Sequence, residues 1–130
     1  MNSEIKAKWL QALRSGEYKQ TRYTLRSCNG GFCCLGVLSD IYRKEVGGSW
    51  KWDYNNDTAY SIVNESEDDF ATTELPDCVM EWAGLEDADP EFNSPAITGE
   101  SGEIVLYTLA TLNDAGKSFD FIADVIDDQF

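Results

Sequence analysis

The sequence predicts a single α+β domain over residues 1–130, with four or five helices packed on a small antiparallel sheet. Three observations predict it. A chain of 130 residues fits one domain of the usual ~100–200 residues. Hydrophobic residues make up 42% and charged residues 26%, a globular composition able to bury one core. Apolar residues recur every three to four positions in several segments and every two positions in another, the periods of helix and strand.

The elements follow in order. Ser3 and Glu4 mark the first helix start, a capping hydroxyl with an acid in the first turn. Ile5, Trp9, Ala12 and Leu13 share its apolar face, and Gly16 stands where a left-handed cap closes it. Residues 18–27 have the aromatic and β-branched content of a strand, and Asn29-Gly30-Gly31 is a turn. Phe32 to Val46 reads as a buried helix stopped by Gly47-Gly48. Ser49 to Tyr54 alternates as a strand, turns at Asn55-Asn56-Asp57 and returns over Thr58 to Val63 as a hairpin. Asn64 to Glu74 is an acidic loop. Pro76 opens a short helix closed by Gly84, and 86–102 reads as an irregular connection. Two helices finish the chain, Glu103 to Asn113 and Ser118 to Asp128, the second capped by Ser118.

Charge is segregated along the chain. Residues 1–51 hold nine of the ten bases and four acids, a net +5, whereas residues 52–130 hold Lys117 and twenty acids, a net −19. A field of that sign repels DNA, RNA and anionic lipid and attracts a basic protein surface. Its densest candidates are Glu65, Glu67, Asp68, Asp69, Glu74 and Asp77. No apolar run approaches the ~20 residues of a membrane span, and the first residues have no signal-peptide core. The expectation is a cytosolic protein with no membrane partner.

Catalytic and metal chemistry find little support. The chain has no histidine. Cys28, Cys33, Cys34 and Cys78 lack the paired spacing of a zinc site, and Cys34 falls on an apolar helical face beside Leu35 and Leu38. No acidic segment has the alternation, central glycine and closing glutamate of a calcium loop. No cofactor is implied. Residues 109–126 resemble the first part of a helix-turn-helix, but Asp120, Asp124, Asp127 and Asp128 would repel phosphates, so the segment reads as a packing hairpin. One mixed set suits a small phosphorylated, base-containing ligand: Arg22 and Arg26 with Trp50, Trp52 and Tyr54, provided the two strands are neighbours.

Three segments carry a family resemblance. They are Trp9-x-x-Ala12-Leu13-x-Ser15-Gly16-x-Tyr18-x-Gln20 running on to Phe32-Cys33-Cys34-Leu35-Gly36-Val37-Leu38-x-Asp40, then Leu75-Pro76-x-x-Val79-x-x-Trp82-Ala83-Gly84-Leu85, then Leu112-Asn113-Asp114-x-Gly116-x-Ser118-Phe119-x-x-Ile122-Ala123-x-x-Ile126. In these the chain resembles small proteins encoded by bacteriophages and prophages. The resemblance implies a phage accessory product working in the host cytosol and assigns no catalytic or binding residue. The resulting expectation is a non-enzymatic protein that inhibits a host defence or nucleic-acid-binding protein through its acidic C-terminal half. The alternatives are a sponge for a host signalling nucleotide at the Arg22–Tyr54 set and, last, a small enzyme using thiol or carboxylate chemistry.

Overall fold

A computed structural model of the chain describes residues 1–52, 59–63, 73–92 and 107–130. Among the described residues five helices and five short strands order as α1 (Ser3–Arg14), β1 (Arg26–Ser27), α2 (Cys34–Glu45), β2 (Ser49–Trp52), β3 (Ala59–Val63), α3 (Asp77–Ala83), β4 (Glu91–Phe92), β5 (Tyr107–Thr108), α4 (Leu109–Asp114) and α5 (Phe119–Gln129). The strands form an antiparallel sheet ordered β1-β3-β2 and a separate antiparallel pair, β4-β5. The architecture is α+β, as the periodicity predicts.

The middle of the fold is α2. Every residue from Cys34 to Tyr42 is buried, and α1, α3 and α4 all pack on it. A helix apolar around most of its circumference belongs in an interior. Its closest approach is made possible by Gly36, where an added Cβ would sit 1.8 Å from the Leu25 carbonyl oxygen. Only a residue without a side chain lets the Leu25 backbone come that near. On the other side, Trp9 of α1 is fully buried and donates its indole N–H to the Cys34 carbonyl at 3.0 Å. Full burial of a large apolar side chain is worth about 1.5–3 kcal/mol, and the indole donor is satisfied as well. The apolar face of α5, Phe119, Ile122, Ala123 and Ile126, is buried as its spacing predicts, with α5 lying along α1.

Helix ends follow local chemistry. The α1 cap is Asn2, one residue earlier than predicted: its Oδ1 accepts from the amides of Glu4 and Ile5 at 3.0 and 3.1 Å. At α2 the Cys33 sulfur takes that role, accepting from the Gly36 amide at 3.4 Å. Ser118 caps α5, accepting from the Phe121 amide at 3.2 Å.

Two predicted elements are corrected. The strand expected over 18–27 survives only at Arg26–Ser27. Tyr23 adopts φ 67°, which ends any extended run, and side chains satisfy the backbone around it. Asp114 accepts the Tyr23 amide at 2.9 Å and the Asn113 amide donates to the Thr21 carbonyl at 2.7 Å. The helix expected over 103–113 begins only at Leu109, because Tyr107–Thr108 pair with Glu91–Phe92 and Thr108 then caps α4. That pairing also places a short strand inside the connection read as irregular. The hairpin from Ser49 is present, with Trp50 opposite Ile62 and Trp52 opposite Tyr60; its turn at Asn55-Asn56-Asp57 lies outside the described residues.

Candidate functional site

Some carboxylates of the fold meet cations and others do not. Four of the nine bases of residues 1–51, Lys8, Arg14, Arg43 and Lys44, form ion pairs with acids among the described residues. Asp40, on α2 and only 5% exposed, is the centre of this neutralisation. Its carboxylate accepts from Arg43 Nε at 2.8 Å, Trp50 Nε1 at 2.9 Å and the Tyr18 hydroxyl at 2.8 Å, with Lys44 Nζ at 3.4 Å. Burial alone would push this carboxyl up, but the hydrogen bonds from Trp50, Arg43 and Tyr18 outweigh it and hold it below the ordinary aspartate value. Burial, and then the bond to Asp40, pushes the Tyr18 phenol upward. Lys8 pairs with Glu45, and Arg14 reaches across to Asp124 of α5 at 2.9 Å.

The opposite situation holds between α3 and β4. Residues 73–92 contain seven acids, Glu74, Asp77, Glu81, Glu86, Asp87, Asp89 and Glu91, and no lysine or arginine. All but Asp89 are exposed. Gly84 adopts φ 72° and ends α3, and the backbone then turns away past the start of the chain, where the Asn2 amide donates to the Ala83 carbonyl at 2.9 Å. The turn opens a groove of about 280 Å³ lined by Met1, Leu85, Pro90 and Phe130, with Glu86, Asp87 and Glu91 around them. Leu85 and Pro90 are buried, while Met1 and Phe130 are half-buried against the core. Among the described residues none of the three rim carboxylates has a salt-bridge partner.

Of the acids singled out in the sequence, Glu74 and Asp77 are exposed at the start of this segment. Glu65, Glu67, Asp68 and Asp69 lie outside the described residues. Sequence reasoning missed Glu86, Asp87 and Glu91 as a group, although the absence of any base over 73–92 was a readable signal.

Part of the basic and aromatic set comes together, Arg26 with Trp50, although β3 stands between β1 and β2 in the sheet. The Arg26 guanidinium lies over the rings of Phe32 and Trp50, at 5.5 and 5.7 Å from their centroids. Trp50 in turn meets Phe32 edge-on and spends its N–H on Asp40. The Arg22 guanidinium instead stands beside Gly116 in the α4–α5 turn, where an added Cβ would be 2.8 Å from its Nη2. Trp52 is placed by its register opposite Tyr60, and Tyr54 lies outside the described residues. Arg26 and Trp50 do come together; their exposed faces serve each other.

The cysteines have the chemistry of core residues. Burial pushes the Cys33 thiol up to about 12, and Cys34, also buried, is raised by burial and by its neighbour Cys33. Such thiols are protonated at neutral pH, the reverse of an activated nucleophile. Cys28 is exposed and Cys78 half-buried, and all four are free. Among the described residues no group of three or more Cys, Asp and Glu is arranged to hold a metal ion, and no helix is long and apolar enough to cross a membrane.

The fold and its groove define a small α+β domain whose segment 73–92 carries acids and no base. The chain belongs to the family described as a domain of unknown function, DUF8296, whose model matches residues 1–130. No curated protein and no solved structure matches it.

Proposed function

We propose that this is a non-enzymatic binding protein that occupies a basic surface of another protein with the acidic face of residues 73–92. One observation carries the reading: seven carboxylates and no base stand on that segment, and three of them, Glu86, Asp87 and Glu91, line a groove without a salt-bridge partner among the described residues. Leaving charge unmatched costs self-repulsion, which a partner of opposite sign relieves. The buried, protonated Cys33 and Cys34 support a role without covalent chemistry.

The resemblance to phage and prophage proteins supplies the biological half of the proposal. The partner is a host defence or nucleic-acid-binding protein, blocked in the bacterial cytosol where its basic groove would otherwise hold nucleic acid. The test is affinity purification from bacterial cells, followed by titration of the purified partner at 50 and 500 mM NaCl. The expected partner is basic and its binding weakens steeply with salt. Binding that ignores salt, or a partner without a basic surface, overturns the reading.

A further inference from the structure

We propose that Asn29 is a self-modification site: in the turn after β1 the Gly30 main-chain nitrogen attacks the Asn29 side-chain amide, and the residue deamidates to aspartate or isoaspartate without an enzyme. The inference is independent of the acidic-face reading.

Four observations carry it. The first is sequence. Of the seven asparagines in the chain only Asn29 precedes a glycine. Attack brings the following main-chain nitrogen onto the side-chain carbonyl carbon, and a glycine there adds no Cβ to obstruct it. Gly30 stands at φ 84°, in the left-handed region that suits glycine, with open space where a Cβ would be. The second is access. Asn29 and Gly30 are both exposed, so hydroxide and water reach the reacting atoms.

The third is the oxygen. Asn29 Oδ1 accepts from the Ser27 hydroxyl and from the Gly31 amide, the latter at 3.2 Å. Negative charge develops on that oxygen as the carbon becomes tetrahedral, and donors already aimed at it stabilise the charge. The turn holds both donors in place: the Gly31 amide also donates to Ser27 Oγ at 3.1 Å, and the Ser27 amide donates to the Gly31 carbonyl at 2.8 Å. The fourth is the leaving group. Among the described residues no hydrogen bond holds Asn29 Nδ2, so it departs directly into solvent.

Base removes the Gly30 N–H proton and so releases it from the Ser27 carbonyl, its partner at 3.0 Å. The nitrogen then bonds to Asn29 Cγ, the Cγ–Nδ2 bond breaks, and the leaving amide takes a proton from water and departs as ammonia. Water opens the cyclic imide at either of its carbonyls, giving aspartate or isoaspartate, and nothing is oxidised or reduced. Isoaspartate lengthens the main chain by a methylene. The turn has little room for it, since an added Cβ at Gly31 would already stand 2.8 Å from Thr21 Cβ.

The experiment incubates the folded full chain at pH 6 and pH 9 in water enriched in oxygen-18, followed by peptide mapping with mass spectrometry. The Asn29 peptide should convert faster than any other asparagine peptide, take up oxygen-18 and yield aspartate and isoaspartate together, faster at pH 9. Ser27→Ala removes one of the two oxygen donors and should slow conversion by at least about fivefold, less than the ~10²-fold of an enclosed oxyanion site because this turn is open to water. Ser27→Thr keeps the hydroxyl and should keep the rate, and circular dichroism checks that both variants are folded. An Asn29 that stays intact while other asparagines convert, or a product free of isoaspartate and indifferent to pH, overturns the site. An unchanged rate in folded Ser27→Ala overturns the part assigned to the hydroxyl.

Discussion

Asp40 and the carboxylates of the α3–β4 groove are the same functional group in opposite circumstances. Asp40 is buried and meets an indole, a phenol, a guanidinium and an ammonium, so its charge is consumed in holding α2, the Tyr18 segment and β2 together. Glu86, Asp87 and Glu91 are exposed and meet none among the described residues. The difference teaches where to look for function in a strongly acidic protein. A carboxylate with its donors already in place contributes to the fold, and one kept without them is available to a second molecule.

The sharpest way to break the comparison is to remove Asp40. Asp40→Ala takes the acceptor from the Trp50 and Tyr18 donors and the counter-charge from Arg43 and Lys44, and should lower the unfolding free energy by about 2–4 kcal/mol in urea. The binding of a basic partner per folded molecule should not change. Acid offers the same test without mutation. In the fold Asp40 ionises below its ordinary value near 3.8, so the unfolded chain holds that proton more tightly. The stability it supplies is complete above the ordinary value and is lost as pH falls through the folded one. The gap in urea midpoint between wild type and Asp40→Asn should therefore be full at pH 7 and narrow progressively as pH falls below about 3.8. A constant gap would mean that Asp40 is not held as described.

A smaller effect is expected from Trp50→Phe, which removes one donor from Asp40 and the larger ring beneath Arg26. The loss should be about 1–3 kcal/mol, read in the same denaturation experiment. Smaller again is Arg14→Ala: its pairs with Asp124 and Asp127 lie on the surface, so the change should stay under about 1 kcal/mol and shrink in 0.5 M NaCl. The smallest is the triple variant Glu86→Gln, Asp87→Asn, Glu91→Gln, which should shift stability by no more than about 0.5 kcal/mol while weakening the capture of a basic partner. A marked loss of stability there would show those carboxylates to be structural after all.

The helices were largely legible because each carries its own signal. Apolar spacing marks α1, α2 and α5, Gly84 ends α3, and Ser118 begins α5. Where the reading went wrong, distant partners decided. The composition of residues 18–25 suits a strand, but Asn113, Asp114 and the Lys117 carbonyl claim its polar groups, and a chain segment adopts whichever partners the tertiary fold presents. Tyr107–Thr108 likewise took a strand because Glu91–Phe92 lay alongside. The groove was less visible still. Met1, Phe130 and the loop after Gly84 come from both ends of the chain and its middle, so no local window contains them, and only the missing bases of 73–92 hinted at the site.

At Gly36, the bare α-carbon sets how deep α2 can sink toward Leu25. Asp40 sits one turn further along the same rod. A single methyl at position 36 would lift the rod outward and carry that carboxylate with it, loosening its grip on the neighbouring indole. The reach of the polar hub is thus calibrated by an atom that is not there.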